Sequence, residues 1–236
     1  MDTIINLLSL VGSLGLFLFG MKTMSEGLEK FAGDRLRSIL AVMTKNRFMG
    51  VFTGILVTAL IQSSSATTVM VVSFVNAGLM NLAQAIGVIM GANVGTTITA
   101  WIISAIGFKV NIAALALPLL AFGLPLIFSK KNKSKSVGEF VFGFAFLFMG
   151  LSFLLQSATD LDISSLVASM LAGLSDGGFF TIILFVLVGA LVTMVVQASA
   201  ATMAITLMLF DMQIPGFGLE QAAALAMGQN IGTTIT

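Results

Sequence analysis

Residues 54–70, GILVTALIQSSSATTVM, place an uncharged polar block, Gln62 to Thr68, inside an otherwise apolar run. Residues 189–205, GALVTMVVQASAATMAI, do so again. With Gly54 set on Gly189, the pairs Leu56/Leu191, Val57/Val192, Thr58/Thr193, Gln62/Gln197, Ser64/Ser199, Ala66/Ala201 and Thr67/Thr202 match without a gap. Each copy is followed at nearly the same distance by a second pattern, G-x-N-x-G-T-T-I-T, at Gly91 to Thr99 and at Gly228 to Thr236. A doubled pair of motifs marks an internal repeat and constrains the fold more than any single residue does.

The solvent around that repeat follows from composition. Hydrophobic residues are 58% of the chain and charged residues 9%, and the mean hydropathy is +1.09. Soluble domains carry about 25% charged residues, so this is an integral membrane chain. In hydrocarbon an unpartnered hydroxyl or amide costs roughly 1–3 kcal/mol, so the polar blocks either pack against other helices or solvate a ligand. His and Cys are absent, which removes the usual transition-metal ligands, a thiolate nucleophile and an imidazole base. The expected spans hold no midplane Asp, Glu, Lys or Arg, so a proton relay is not expected either. Nothing in the basic residues suggests nucleic acid as a partner; lipid is the expected surrounding.

Taken in order, residues 4–21 predict a spanning helix whose Gly12, Gly15 and Gly20 form a packing face. Residues 22–47 alternate basic and apolar positions and predict an amphipathic segment along the membrane surface. Residues 50–78 fit either one span or a re-entrant hairpin turning at Gln62 to Thr68. The hairpin keeps the basic segment and the run Lys130 to Lys135 on one face, the cytoplasmic one, with ten of the eleven basic residues inside and Lys109 the exception. A helix broken at Gly91, Asn93 and Gly95 is expected over 82–108, and an apolar span over 110–128. After a span at 138–156, the Asp-bearing stretch 157–180 is expected outside, and its ISSLVASMLAGL is a weak amphipathic counterpart. Three crossings per repeat is odd, so the second copy should be inverted.

The expected architecture is therefore an all-α integral membrane protein of two inverted-topology repeats, each with a re-entrant helical hairpin and a broken transmembrane helix. Repeat one covers 1–128, residues 129–137 form a basic cytoplasmic loop, and repeat two covers 138–236. Repeat two stops before a counterpart of 110–128, which predicts a further span beyond Thr236.

Inverted hairpins can bring their tips, Gln62 to Thr68 and Gln197 to Thr202, toward the bilayer midplane. A half-helix beginning at Ser63 or Ser64 offers free backbone N–H groups and the positive end of its dipole to an anion. Gln, Asn and Thr oxygens and unwound carbonyls suit a monovalent cation. For a lone Ser-Ser-Ser run, helix packing or back-bonding to a carbonyl is the simpler reading, but recurrence in register favours a ligand site. Thr58 and Thr193 stay open between packing and binding.

The Gln62-Ser63-Ser64-Ser65 sequence, its second copy and the two G-x-N-x-G-T-T motifs resemble the type II sodium-dependent phosphate cotransporter family in its bacterial form. The resemblance implies an inverted-repeat carrier of the cell inner membrane, multi-pass, that couples sodium to inorganic phosphate by alternating access, with sodium as coupling ion and no other cofactor. It implies that the QSSS segments form the phosphate and sodium sites, here Gln62, Ser63, Ser64, Ser65, Gln197 and Ser199, and phosphate is expected at Ser63, Ser64, Ser65, Ser199, Thr67 and Thr202. Sodium binding or hairpin bracing is expected at Gln62, Gln197, Asn93, Asn230, Thr96, Thr97, Thr233 and Thr234. Ala198 and Ala200 depart from the pattern by two hydroxyls. Some bacterial members carry a PhoU-like regulatory domain, which the resemblance would place after Thr236. The rivals are a passive channel or exporter for phosphate or another oxyanion, an intramembrane serine hydrolase without an activating base, and a membrane scaffold.

Overall fold

The computed structural model describes residues 2–43, 46–107, 112–172 and 178–235, and these form helices with no strand among them. In chain order they are α1 (Asp2–Met43), α2 (Arg47–Ile61), α3 (Ser64–Asn76), α4 (Leu82–Ile102), α5 (Ile112–Ile127), α6 (Asn132–Asp160), α7 (Ile163–Leu171), α8 (Gly178–Val196), α9 (Ser199–Asp211) and α10 (Leu219–Thr233). Segments of α1, α4, α6 and α8 are long and apolar enough to cross a membrane. The expected roles of Lys109, Asp176 and Thr236 fall outside the described residues.

Two compact units divide the chain: residues 19–147, and residues 1–18 with 148–236. The first unit holds copy one of the repeat. Asn46 caps α2 by accepting from Met49 N at 2.8 Å, and Asn81 and Gln84 cap each other at the start of α4, each bond 2.9 Å. α2 and α4 lie side by side with so little clearance that a Cβ on Gly54 would overlap Val88 O, and one on Gly91 would overlap Val51 O. Gly50 meets Gln84 and Gly95 meets Ile55, so residue numbers rise together along both helices and the pair is parallel. A chain that leaves the end of α2 and re-enters at the start of α4 must come back on itself. α3 makes that return, so α2 and α3 form a helical hairpin. Val57, Ile61, Val71, Met80, Ala85 and Val88 make its buried apolar core.

The other unit repeats this geometry. A Cβ on Gly228 would overlap Val186 O and one on Gly232 would overlap Ala190 O, so residue numbers again rise together, α8 and α10 are parallel, and α9 makes the return. Gly218 N donates to Gln221 Oε1 at 2.9 Å, the counterpart of the Asn81 and Gln84 pair. α8 is longer than its counterpart α2, and it reaches spanning length where α2 does not.

Two expectations are corrected. The breaks expected at Gly91 to Gly95 and at Gly228 to Gly232 do not occur: α4 and α10 run through them unbroken. Their glycines serve interhelical approach, since each loses its Cβ where a neighbouring carbonyl passes, and the helical hydrogen bonds survive intact. The irregularity comes later, as a π-helical segment at Ile103–Gly107. The packing face expected on Gly12, Gly15 and Gly20 is realised only at Gly20, which meets Gly143 and Leu147 of α6; nothing lies within 4 Å of a Cβ on Gly12 or Gly15.

The apolar run 4–21 and the amphipathic stretch that follows it form one helix as far as Met43. Its 42 residues measure about 63 Å against a hydrocarbon core of about 30 Å, so a helix of this length outruns the bilayer unless it is strongly tilted. Within the unit of residues 19–147, Gly20 and Gly27 of α1 meet Gly143 and Phe140 of α6 in antiparallel order, and Lys30 Nζ donates to Glu139 Oε2 at 2.9 Å.

Candidate functional site

Each hairpin turns at its glutamine. Gln62 adopts φ 59° and Gln197 φ 53°, left-handed values that cost a non-glycine residue roughly 1–2 kcal/mol. The turn is closed by backbone bonds, Gln62 N to Thr58 O at 2.7 Å and Gln197 N to Thr193 O at 2.8 Å. In copy one the side chain braces the same turn. Gln62 Nε2 donates to Ala59 O, a carbonyl that the end of α2 leaves without a helical partner, and Gln62 Oε1 accepts from Thr99 Oγ1 at 2.6 Å. Thr99 thus ties α4 to the tip.

A second tie joins the limbs. Thr58 Oγ1 donates to Thr67 Oγ1 at 3.0 Å, and Thr67 Oγ1 donates to Ser63 O at 3.0 Å. Thr193 donates to Thr202 at 3.2 Å, and Thr202 to Ala198 O at 2.9 Å, in the same pattern. All four of these threonines are buried. Thr58 and Thr193, open between packing and binding in the sequence, are cross-limb braces, and the hydroxyl protons of Thr67 and Thr202 are already committed.

The copies differ at the start of the returning helix. Ser63 caps α3, its Oγ accepting from Ala66 N at 3.2 Å. Ala198 holds the same place before α9 and supplies no side-chain cap. Ser64 is buried, Ser63 and Ser199 are half-buried, and Ser65 is exposed. Ala201 N, the counterpart of Ala66 N, donates instead to the backbone oxygen of Ala198 at 3.1 Å, so α9 starts without a side-chain cap at the end of the helix that carries about half a positive charge.

The G-x-N-x-G-T-T residues sit on unbroken helix as far as Thr233, and Thr234 caps the end of α10. Asn93 and Asn230 are half-buried at corresponding positions of α4 and α10. Thr96 donates to Ala92 O at 3.3 Å, Thr97 to Val94 O at 2.7 Å, Thr233 to Gln229 O at 2.8 Å and Thr234 to Ile231 O at 2.7 Å. The hydroxyl protons of all four are held by their own helices, and the oxygens of Thr96, Thr97 and Thr234 can still accept. Among the described residues no cluster of three His, Cys, Asp or Glu could hold a metal ion.

Sequence reasoning missed Thr99 as a brace, and it missed Gln229. Gln229 is 1% exposed and donates from Nε2 to Thr206 Oγ1 at 2.7 Å. The signal was present, since the x of the second G-x-N is Gln where copy one has Ala92. A cavity of about 390 Å³ elsewhere in the same unit is lined by Ser9, Ser13, Gln156, Ser157 and Asp160 among others, and no expected site residue borders it.

Residues 16–156 match the model of the Na+/Pi-cotransporter family. A protein named for inorganic phosphate export, YjbB of Escherichia coli (strain K12), is 30% identical over 231 residues, 97% of this chain and 40% of its own length. YqeW of Bacillus subtilis (strain 168), uncharacterized by name, is 29% identical over 98% of this chain and 71% of its own length. The sodium-dependent phosphate transport protein 2A of Rattus norvegicus is 37% identical over 99 residues, 40% of this chain and 15% of its own length. The chain thus spans about 40% of the length of the YjbB relatives, and no solved structure matches it. The matched stretch covers more than half of the sequence, so the chain belongs to the Na+/Pi-cotransporter family.

Proposed function

We propose that the protein is a secondary transporter that couples sodium to inorganic phosphate movement by alternating access in the cell inner membrane. In this reading α2–α3 and α8–α9 are re-entrant and the two copies are inserted in opposite senses, as the distribution of basic residues favours. Phosphate is held by backbone N–H groups and hydroxyls at Ser63, Ser64, Ser65 and Ser199, with Thr67 and Thr202 behind them. Sodium is met by oxygens of Asn93, Asn230, Thr96, Thr97, Thr233 and Thr234. Gln62 and Gln197 serve sodium or brace the turns.

The observation that carries the reading is the left-handed glutamine turn, made twice with the same threonine brace and followed each time by a helix start. A protein that needed only packing would fill these positions with apolar residues. Two neutral polar turns aimed at helix N-termini can replace the water around an anion and its counter-ion without a charged side chain. Sodium-driven uptake of labelled phosphate into proteoliposomes tests the reading, and flux indifferent to the sodium gradient would remove the coupling.

A second reading, phosphate export, has one observation in its favour, the name carried by the YjbB relatives. The same site serves either direction, because net flux in a coupled carrier follows the gradients. Vesicles loaded with phosphate and diluted into phosphate-free buffer, with sodium inside or outside, separate the two.

A further inference from the structure

We propose that Gln229 and Thr206 form a sodium seat inside copy two, one layer deeper than the hairpin tip. The proposal rests on the sodium coupling put forward above. Gln229 Oε1 is fully buried and has no hydrogen-bond partner, although the other end of the same amide is satisfied by Thr206 Oγ1 at 2.7 Å. A buried carbonyl oxygen left unpaired costs roughly 1–3 kcal/mol, and it can be satisfied only by a hydrogen-bond donor or a cation.

The repeat supplies its own control. In copy one the two positions are Ala92 and Val71, both 0% exposed and both apolar. Copy two has lost the hydroxyls of Ser63 and Ser65 at Ala198 and Ala200 and has gained two side-chain oxygens at Gln229 and Thr206. The polar groups have moved from the tip into the packing of α9 on α10. Thr206 donates to Thr202 O at 3.0 Å and accepts from Gln229 Nε2, which leaves its oxygen one further lone pair.

Charge decides the class of ion. The charged residues within α8, α9 and α10 are Asp211 and Glu220, at the last position of α9 and in the first turn of α10. A divalent cation demands carboxylates, whereas carbonyl and hydroxyl oxygens alone suffice for a weakly hydrated monovalent one. The pair therefore fits a monovalent cation, and the coupling put forward above makes that cation sodium.

The test is the thermal midpoint of the purified full chain in detergent, in sodium chloride against choline chloride at equal ionic strength. The double variant Gln229→Ala with Thr206→Val recreates the copy-one pair, which already packs in this fold. Its midpoint in choline should equal or exceed that of the parent, because an unsatisfied group has gone. Its sodium-dependent rise should fall to less than half. Gln229→Glu, which adds a carboxylate beside the same hydroxyl, should lower the sodium concentration for half-maximal effect about tenfold. A full sodium-dependent rise in the double variant overturns the seat while leaving sodium coupling standing, as does an unchanged sodium response in Gln229→Glu. A parent whose midpoint ignores sodium overturns the coupling reading and the seat with it.

Discussion

Thr99 donates its hydroxyl to Gln62 Oε1 at 2.6 Å across the interface of α4 with the turn, and the same glutamine donates through Nε2 to Ala59 O. One residue of the second motif thereby holds the first motif in place. Thr99→Val keeps the shape and deletes the donor, leaving a part-buried amide oxygen with half its partners. The expected loss is about 1 kcal/mol of stability, with a larger fractional loss of phosphate transport. Thr99→Ser should restore both. Thermal unfolding and proteoliposome uptake of the two variants side by side check this; equal transport by Thr99→Val would make the bond incidental.

The left-handed backbone at Gln62 and Gln197 allows side chain and backbone to be tested apart. Glycine adopts φ near 60° without penalty, so Gln62→Gly removes the amide while relieving the turn. Alanine removes the amide and keeps the strain. Gln62→Ala should therefore be less stable than Gln62→Gly by about 1 kcal/mol, and both should lose transport to a similar degree if the amide is what the substrate or the brace needs. Melting curves and initial uptake rates on the pair answer both halves, and a Gly variant with normal uptake would reduce Gln62 to a turn former.

Close helix approach gives a stability prediction with a built-in control. Gly54→Ala or Gly228→Ala sets a methyl group onto a backbone carbonyl that no rotamer change can move. The helices must separate, at an expected cost of 3 kcal/mol or more, by roughly the scale of severe overpacking. Gly15→Ala meets nothing within 4 Å and replaces a poor helix former by a good one, so it should be neutral or stabilising by up to about 1 kcal/mol. Expression level and midpoint in detergent rank the three, and a tolerated Gly54→Ala would refute the parallel contact of α2 with α4.

Much of this was legible in the sequence because the repeat is written twice. Gln62 and Gln197 were readable as turns, since a polar block inside an apolar run has to go somewhere, and the helix starts at Ser64 and Ser199 followed from the same block. Gly91 to Gly95 misled, because a glycine that breaks a helix and one that lets two helices touch are the same letter. Only the neighbour distinguishes them, and here Val51 and Ile55 of α2 come from about forty residues upstream. The pairing of Thr99 with Gln62 is hidden for the same reason: it needs the parallel register of α2 and α4, which no local pattern encodes. Gln229 was visible as a departure between the copies, but its burial depends on how α9 packs, which composition does not report.

The missing cap at Ala198 yields the sharpest test of where the anion sits. In copy one Ser63 Oγ already accepts from Ala66 N at 3.2 Å, so an anion at α3 competes with an internal partner. At α9 no side-chain cap intervenes: Ala201 N, the counterpart of Ala66 N, donates to the backbone of Ala198 at 3.1 Å, and no capping hydroxyl competes for the N–H groups of the first turn. Ala198→Ser should supply the missing cap and stabilise the protein by about 1 kcal/mol in phosphate-free buffer. If phosphate uses those N–H groups, the new hydroxyl competes with it, and the phosphate concentration for half-maximal uptake should rise severalfold while sodium dependence holds. Ser63→Ala should do the reverse at the other tip, losing about 1 kcal/mol in phosphate-free buffer and gaining a free donor. Midpoints measured with and without phosphate, together with uptake titrations, resolve both effects. If Ala198→Ser gains stability yet leaves phosphate affinity untouched, the anion is held elsewhere, and the serines of copy one become its remaining support.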